Sequence, residues 1–494
     1  MFQRSSGILL HVTSLPGPYG IGSLGASARN FIDFLSAAQQ SYWQILPLVP
    51  TGEGNSPYMS PSSAAGNPLL IDPDELYQLG LVTQEELNGI RYDAPDRVDY
   101  NFILETRPAL LKKAWQRATP ELLTKAEAFS AAHADWLPDY ALFMACHDAF
   151  GLPLNQWPDR DLLHRDPEAL ARYHAKYADA VSYYTLMQYL FFRQWYALKE
   201  YANKKGIRII GDIPFYVSGD SADVWCNPEL FKLSEDFVPE VVAGVPPDQF
   251  SEDGQLWGNP IYNWTRHRAD GYQWWCSRIR QSNAFYDVIR IDHFRGFDTY
   301  WEVPADAETA LAGHWVEGPG QELLDVIAEQ VPTAEFIAED LGDLTESAVK
   351  FIRNSGLPGM RVLVDAFKDF GGSGFLPHHC TEGSVMYTGT HDTATFLEWL
   401  LEQATEDQRR YAMDYLRLNP AEGYGWGIIS CAWSSICSLA MAPFQDVLGL
   451  GGDARMNAPG TTGAQNWSWR VRADAFNAEV AHKLSHITWL YGRT

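Results

Sequence analysis

The chain has few of the features that mark secreted, metal-binding or membrane proteins. Its 494 residues include only six cysteines, with no Cys-x-x-Cys pair and no dense framework, so a reducing cytoplasmic location is expected. No uncharged apolar run is long enough for a membrane span. The short apolar stretch near the N-terminus is soon interrupted by proline, unlike a signal peptide. A membrane partner is therefore not expected.

Positive charge is also scarce. Lys and Arg total 37 against 62 Asp and Glu, which gives a net charge of −25. Binding to a nucleic-acid backbone depends on cations that neutralise phosphates, so the chain is not expected to bind nucleic acid or an anionic membrane surface. The apolar fraction of 46% and the charged fraction of 20% are those of ordinary globular proteins. The composition predicts a folded, soluble protein.

Short apolar and β-branched runs recur along the chain and alternate with helical patterns, which is typical of βα units and a parallel sheet. Eight such runs predict an α/β fold, a closed (β/α)8 TIM barrel over residues 1–494. The runs are Ile8–Val12, Tyr42–Leu48, Ile207–Ile213, Val288–Phe294, Glu335–Glu339, Met360–Asp365, Val385–Thr390 and Ile436–Met441.

Two connections between the predicted strands are far longer than an ordinary βα loop. The segment between the second and third runs has mostly helical patterns, and we predict a helical insert over residues 60–200. The connection over residues 216–275 is rich in Gly, Pro and aromatic residues and lacks clear periodicity. The sequence therefore predicts a barrel with large insertions.

Acidic residues follow several of the predicted strands. The C-terminal ends of barrel strands meet at one mouth, so residues that are distant in sequence come together there. A single acid at such a position is commonly a helix N-cap or a turn residue, but several in successive units predict a cavity lined by carboxylates. These acids are Asp212, Asp292, Glu339, Asp340 and Asp392.

Two carboxylates in one cavity can cleave an acetal with retention, because one attacks the anomeric carbon while the other protonates the leaving oxygen. Arg290 shares a strand face with Asp292, and its charge favours the ionised form that a nucleophile needs. Glu339, in a drier environment among other negative charges, is favoured in the protonated form of a general acid. Asp392 is then expected to stabilise positive charge at the sugar ring, with His391 donating a hydrogen bond nearby.

Two other motifs suggest different chemistry. Residues 20–25 spell GxGxxG and taken alone suggest a dinucleotide-binding oxidoreductase, but Pro16 and Pro18 separate them from the preceding strand. The next strand also lacks the acid expected for a ribose. The run of residues 378–380, His-His-Cys, suggests a metal, but neighbouring positions do not point to one centre. Neither a cofactor nor a metal is expected.

A series of motifs runs in order along almost the whole chain. They are SSGILLHVTSLPGPYGIGSLG, YWQILPL, GNSPY, GDIPFYV, GVPPDQFSEDGQLWGNPIYNW, VIRIDHFRGF, IAEDLG, LPGMRVL, YTGTHD and RMNAPGTTGAQNWSWR. With these motifs the sequence resembles the 4-α-glucanotransferases, the amylomaltase or disproportionating-enzyme family of the α-amylase clan.

The resemblance implies the same catalytic roles as the chemistry does. Asp292 is then the nucleophile, Glu339 the acid/base and Asp392 the transition-state stabiliser. The resemblance further implies that the donor subsite is lined by Arg290, His391 and two residues not yet given a role, Asp212 and Tyr58, with Tyr58 stacking on the sugar. It also implies that no metal is required.

The resemblance places further residues around the substrate. Phe250, Trp257 and Asn259 are implied to belong to a loop over the active site. Asn457, from the RMNAPG motif, is implied to contribute from the last part of the barrel. Selection of a sugar hydroxyl over water is then expected to depend on this loop as well as on the acids.

The predicted activity is transfer of a segment of an α-1,4-glucan to the 4-hydroxyl of an acceptor, through a covalent glycosyl-Asp292 intermediate. The predicted partners are α-1,4-glucans and maltooligosaccharides. Transfer requires that a bound acceptor outcompete water, which positioning and water exclusion can achieve. Two alternatives stay open: a retaining α-glucan hydrolase with the same acids, and a non-catalytic glucan-binding protein on a retained barrel.

Overall fold

A computed structural model describes residues 2–92, 94–247, 252–342 and 344–494. Within these ranges the strands form two sheets, one parallel and one antiparallel. In chain order the strands are β1 (Ser5–Leu9), β2 (Tyr42–Gln44), β3 (Arg208–Ile213), β4 (Val241–Val245), β5 (Gln255–Pro260), β6 (Val288–Ile291), β7 (Thr299–Pro304), β8 (His314–Glu317), β9 (Phe336–Ala338), β10 (Met360–Val362), β11 (Val385–Tyr387) and β12 (Leu439–Pro443).

The parallel sheet closes into a barrel. Its strand order is β10-β11-β12-β1-β2-β3-β6-β9, and each neighbouring pair runs parallel. The ring is completed between β9 and β10, where the backbone N–H of Ala338 donates to the carbonyl of Pro358 at 2.9 Å and Ala338 bridges to Gly359. The predicted (β/α)8 barrel is therefore confirmed.

The helices surround this barrel and fill its long connections. As far as β3 they are α1 (Ala26–Ala37), α2 (Pro73–Gln78), α3 (Gln84–Gly89), α4 (Tyr100–Gln116), α5 (Pro120–Ala132), α6 (Leu137–Phe150), α7 (Arg160–Leu163), α8 (Pro167–Lys176) and α9 (Ala178–Lys204). After β3 they are α10 (Ala222–Cys226), α11 (Trp264–Ala269), α12 (Gln273–Phe285), α13 (Gln321–Gln330), α14 (Glu346–Ser355), α15 (Leu363–Ala366), α16 (Phe396–Glu398), α17 (Glu406–Leu416), α18 (Tyr424–Ser434), α19 (Phe444–Leu448) and α20 (Ala478–Leu490).

The barrel strands are apolar on both faces because side chains fill the interior and helices cover the outside. Ile209 and Ile210 of β3, and Val288 and Ile289 of β6, are all buried although successive side chains point to opposite faces. This is why the strands read as continuous apolar runs in the sequence. A polar residue in such a strand stands out for the same reason.

Several predicted strands are longer than the observed ones at their C-terminal ends. The run Val288–Phe294 forms a strand only as far as Ile291, because His293 takes a left-handed backbone conformation with φ of 48° and turns the chain. The last strand lies further along the chain than the predicted Ile436–Met441, since Ile436 is 53% exposed and precedes β12. The residues that follow the strands therefore leave the sheet and can lie at the mouth of the barrel.

Helices α2 to α9 lie between β2 and β3. The long helix α9 is fixed against the barrel by Trp195, whose indole N–H donates to the carbonyl of Phe285 at 3.1 Å. Gln188 of the same helix exchanges two hydrogen bonds with the backbone of Gly66. The division of the chain into inserts stays a prediction, but these contacts bind α9 firmly to the segments around it. No helix in the described ranges is long and apolar enough to cross a membrane.

The second sheet was not predicted from the sequence. It has the antiparallel order β5-β4-β7-β8 and combines residues from before and after β6. Glycine and proline interrupt the alternation in β5, and β4 contains Gly244, where an added Cβ would lie 2.4 Å from the carbonyl of Gln255. These residues weaken the strand signal. Strand β5 of this sheet places Trp257 against His293, next to the end of β6.

The close packing of β3 makes a testable prediction. A Cβ on Gly211 would lie 2.1 Å from the ring of Tyr286, so Gly211→Ala is expected to lower the free energy of unfolding by about 3 kcal/mol. Gly89, at the end of α3, has open space around its Cα and provides the control, since Gly89→Ala is expected not to destabilise. Urea unfolding of both variants measures the difference, and equal midpoints would contradict the packing argument.

Candidate active site

The acids predicted from the sequence lie at the C-terminal ends of the barrel strands. Asp212 and Arg290 are inside β3 and β6 at paired positions of the sheet. Asp292 follows β6 by one residue, and Glu339 follows β9 by one residue. Asp392 lies further out, in the loop after β11. The barrel therefore brings together residues separated by 180 positions, as the convergence of strand ends requires.

A buried arginine joins two of these acids. Nη1 of Arg290 lies 2.7 and 2.5 Å from the two carboxylate oxygens of Asp212, and 3.0 Å from Oδ1 of Asp292. The side chains of Arg290 and Asp212 are 3% and 0% exposed, whereas that of Asp292 is 27% exposed. Asp212 thus neutralises the arginine from below, and Asp292 presents its carboxylate to the open mouth.

Tyr58 connects this cluster with His391. The phenol donates to Oδ2 of Asp212 at 2.8 Å and lies 2.8 Å from Nε2 of His391. The two rings also stack, with centroids 5.4 Å apart and an angle of 10°. The sequence predicted that Tyr58 stacks on a sugar, and its ring is partly buried and in contact with protein on the His391 side.

Asp392 is oriented from both sides. Nδ2 of Asn457 donates to Oδ1 of Asp392 at 2.7 Å, and Nε2 of His391 lies 3.3 Å from Oδ2. The loop itself is tied down because Nη2 of Arg455 donates to the backbone carbonyl of Asp392 at 2.8 Å. The side chain of Asp392 is 41% exposed, so it faces the cavity. The structure therefore brings Asn457 to the third acid.

Among the described residues, no cationic side chain forms a hydrogen bond or ion pair with Glu339. Its Oε2 accepts a hydrogen bond of 2.6 Å from the backbone N–H of His293. Its backbone N–H donates to the carbonyl of Ile291 at 3.0 Å, and its carbonyl accepts from Phe294 at 3.1 Å. The turn that follows β6 thus wraps around residue 339 and fixes the carboxyl group next to the nucleophile candidate.

The three acids differ in proton affinity. Burial raises the pKa of Asp292 to about 6, even though Arg290 opposes this. Burial and the negative charge of Asp292 raise the pKa of Glu339 to about 8. Burial also disfavours the charged form of Asp392, but His391 and Asn457 outweigh it and lower the pKa to about 2. The sequence argument named Arg290 as the group that keeps Asp292 ionised; the arginine does lower the pKa of Asp292, but burial outweighs it and the pKa rises.

Two residues of β5 contact segments next to the acids. The indole of Trp257 meets the ring of His293 edge-on, with centroids 5.0 Å apart. Nδ2 of Asn259 donates to the carbonyl of Val217 at 2.9 Å and lies 3.5 Å from Sδ of Met59, so this residue ties β5 to the segments that follow β3 and β2. Phe250, the third residue predicted here, lies outside the described residues.

The remaining sequence motifs have structural roles. Asp340 is buried and accepts hydrogen bonds from the backbone of Met360 and from Arg361, at 2.6 and 3.0 Å, so it does not face the mouth. In the GxGxxG stretch, a Cβ on Gly22 would lie 1.8 Å from the carbonyl of Val12, so this glycine serves close packing. Across the residues that the structure describes, no three His, Cys, Asp or Glu side chains are grouped as for a metal ion.

Three residues near the acids had no predicted role. Trp467 lies beside Tyr58 and His391, with ring centroids 5.8 and 6.1 Å away. Arg455 binds the Asp392 loop, and His293 binds Glu339. Trp467 and Arg455 flank the loop that contains Asn457, and His293 follows Asp292 directly. For His293 and Arg455 the signal in the sequence was proximity to Asp292 and Asn457, and for Trp467 it was the motif RMNAPGTTGAQNWSWR, which also contains Asn457.

Comparison with known proteins decides the family. A model described as 4-alpha-glucanotransferase matches residues 10–475. The chain belongs to the 4-alpha-glucanotransferase family. It is 42% identical to a 4-alpha-glucanotransferase from Clostridium butyricum, over 98% of this chain and 100% of that one. It is 44% identical to the Thermus thermophilus 4-alpha-glucanotransferase, over 97% of each.

A solved structure agrees with this assignment. The amylomaltase from Streptococcus agalactiae, in complex with acarbose, is 42% identical to this chain and has a TM-score of 0.96, covering 99% of this chain and 100% of that one. The predicted 4-α-glucanotransferase family, the barrel fold and the transglycosylase class are therefore confirmed. The roles of individual residues stay predictions.

The Arg290 cluster makes a prediction about stability. Arg290→Gln leaves the carboxylates of Asp212 and Asp292 without their cation, and we expect the free energy of unfolding to fall by about 3–5 kcal/mol at pH 7. Without the arginine the pKa of Asp292 rises further above its value in the unfolded chain. The destabilisation caused by the ionised Asp292 carboxylate is then fully present at high pH, and it declines as the pH falls and the carboxylate becomes protonated. The loss is therefore expected to be smaller at pH 5.

Urea unfolding at pH 7 and pH 5 measures this loss. The control is Arg268→Gln, because Arg268 forms an ion pair of 2.9 Å with Glu322 in which both side chains are about half exposed. Its loss is expected to cost less than about 1 kcal/mol. Equal losses in the two variants would show that the buried cluster contributes nothing beyond a surface ion pair.

Proposed function

We propose that this chain transfers a segment of an α-1,4-glucan to the 4-hydroxyl of an acceptor glucan or glucose, with Asp292, Glu339 and Asp392 at the reacting centre. The observation that carries the proposal is the convergence of these acids at the strand ends, where Arg290 lies 3.0 Å from Asp292 and the N–H of His293 donates to Glu339 at 2.6 Å. Burial there raises the pKa of Asp292 to about 6 and that of Glu339 to about 8, which supports the assignment of roles. Between these values Asp292 is ionised and Glu339 is protonated. A retaining double displacement starts from this state.

In the first step the Asp292 carboxylate attacks the anomeric carbon of the donor. The bond from that carbon to the leaving oxygen breaks, and Glu339 gives its proton to this oxygen. The products are a glycosyl ester on Asp292 and a glucan that leaves with a free 4-hydroxyl. Arg290 supports this step because it binds Oδ1 of Asp292 at 3.0 Å and so fixes the orientation of the carboxylate.

In the second step the acceptor 4-hydroxyl attacks the anomeric carbon. Glu339, now a carboxylate, takes the proton of this hydroxyl while the ester bond to Asp292 breaks. The new α-1,4 bond has the configuration of the old one because two inversions have occurred. Esterification of Asp292 supports this reversal of role, since it removes the negative charge that helps to raise the pKa of Glu339 and so favours the carboxylate that acts as the base.

Asp392 is proposed to stabilise the positive charge that develops on the sugar ring. Its pKa of about 2 keeps it ionised throughout the reaction. Asp392 is held in place by His391 and Asn457, and Tyr58 contacts His391. Together these residues offer polar groups to the sugar hydroxyls. Trp257 and the segment around it are proposed to exclude water, so that a bound acceptor reacts in preference.

We propose maltooligosaccharides and longer α-1,4-glucans as ligands. The amylomaltase from Streptococcus agalactiae was solved in complex with acarbose, which supports a ligand of this class. We also propose that the enzyme works in the cytoplasm. The six cysteines all lie in the described part of the chain and are not in disulfides there, which supports a reducing location.

The first test separates transfer from hydrolysis. During incubation with maltotriose, transfer leaves the number of reducing ends constant and produces longer and shorter oligosaccharides, whereas hydrolysis raises that number. We expect a constant count with a ladder of products. A steady rise without longer products would replace the proposal by the retaining hydrolase, and no products at all would favour a binding protein.

A second test assigns the two carboxyls. Asp292→Asn removes the nucleophile and is expected to reduce kcat by roughly 10⁴-fold with every donor. Glu339→Gln is expected to lose activity on maltotriose but to retain ester formation from α-maltosyl fluoride, because fluoride leaves without a proton. Glu335→Gln is the control, since Glu335 lies before the other end of β9 and pairs with Arg208. Full activity of Asp292→Asn would exclude the proposed nucleophile.

The pKa values also predict the pH profile. Below about 6 the Asp292 carboxylate becomes protonated, and above about 8 Glu339 loses its proton, so kcat/KM is expected to be bell-shaped between these values. Because the two groups interact, the limbs belong to the pair. Initial rates from pH 4 to pH 10 measure them. A profile that stays flat from pH 5 to pH 9 would contradict the assignment.

A further inference from the structure

His293 follows the proposed nucleophile and has an unusual backbone. Its φ of 48° lies in the left-handed region, which costs an ordinary L-residue about 1–2 kcal/mol relative to the right-handed one. Such a conformation persists only where the surroundings enforce it, and it commonly accompanies a functional site. The N–H of the same residue donates a hydrogen bond to Oε2 of Glu339 at 2.6 Å.

The surroundings of the ring explain how the conformation is held. The imidazole lies among Phe215, Tyr216 and Trp257, with ring centroids 6.0, 6.3 and 5.0 Å away. A Cβ on Gly296 would lie 3.2 Å from Cδ2 of the imidazole, so the ring is closely packed from below as well. Its Nε2 is buried and has no hydrogen-bond partner among the described residues. Packing therefore fixes this ring.

We propose that His293 is a positioning residue for the acid/base: its N–H binds Glu339 and stabilises the carboxylate form, and its left-handed backbone holds the peptide that carries this N–H in place. The ring is not itself an acid or base in this scheme. Burial, together with the charge of Arg295, lowers the pKa of the imidazole to about 3, so it stays neutral through the working range. The N–H is the functional group.

The electrostatic balance at Glu339 shows why this N–H matters. Burial and the negative charges of Asp292 and Asp340 favour the protonated form of Glu339, whereas Arg290 and the His293 N–H favour the carboxylate. A hydrogen bond from the backbone to a carboxylate is among the stronger ones. Loss of this bond is expected to raise the pKa of Glu339 and thus to move the alkaline limb of kcat/KM to higher pH.

The inference rests on the proposed role of Glu339, and two substitutions of His293 test it. Asn tolerates a left-handed backbone, so His293→Asn retains the N–H direction while it removes the ring. Val is β-branched and strongly disfavours this conformation, so His293→Val is expected to shift the peptide that carries the N–H away from Glu339. We expect the alkaline limb to be unchanged in the Asn variant and to rise by about one pH unit in the Val variant.

Two further variants control for misfolding and for the general effect of backbone strain. If His293→Val does not fold, His293→Ala replaces it, since Ala has a milder penalty for the left-handed region and is expected to raise the limb above that of the Asn variant. Gln39→Val is the control for backbone strain, because Gln39 is exposed, has φ of 56° and follows α1 far from the mouth along the chain. It is expected to lose stability without moving the limb.

The outcomes distinguish the inference from the function on which it rests. An alkaline limb that moves in the Val or Ala variant alone supports the positioning role. A limb that stays in place in all variants, or moves equally in the Asn and Val variants, overturns it. Glu339→Gln is measured in parallel: if that variant keeps its activity on maltotriose and the alkaline limb, the acid/base assignment fails, whatever the His293 variants show.

Discussion

One buried ion cluster determines how the mouth of this barrel is built. Arg290 and Asp212 are almost fully removed from water, and each would be costly to bury without the other. They meet because β3 and β6 are neighbours in register, with Asp212 opposite Arg290. The same guanidinium also lies 3.0 Å from Oδ1 of Asp292 and so orients the carboxylate of the nucleophile candidate. The pairing of β3 with β6 thus fixes the cluster, and closure of the barrel brings the loop after β11, which carries Asp392, to the same mouth.

The sequence predicted much of this arrangement, for identifiable reasons. The barrel strands were recognisable because burial on both faces makes them continuous apolar runs, in which Arg290 and Asp292 stand out. The antiparallel sheet was not recognisable, because glycine and proline break the alternation of β5 and because its strands pair across β6. Strand ends were predicted too long, since a single left-handed residue such as His293 leaves no compositional signal.

Proton affinities were less predictable than positions. Adjacency in sequence suggested that Arg290 keeps Asp292 ionised, and the arginine does lower the pKa of Asp292. Much of the guanidinium's interaction, however, is with Asp212, which binds it through both oxygens. Burial of Asp292 then prevails, and its pKa rises to about 6. The sharing of one cation between two acids depends on strand register, which the sequence does not display.

The three carboxyls of the mouth differ in proton affinity although they lie close together. Each is buried enough to favour protonation, and they differ in what opposes it. Asp392 has His391 and Asn457, Asp292 has part of Arg290, and Glu339 has the amide of His293 as its direct donor. The pKa values, about 2, 6 and 8, reflect both these partners and the neighbouring negative charges, of which Asp212 and Asp392 act on Asp292. Since Asp292 also raises the pKa of Glu339, a change in the charge of one acid changes the pKa of the other, and the pH interval between the two values depends on both groups.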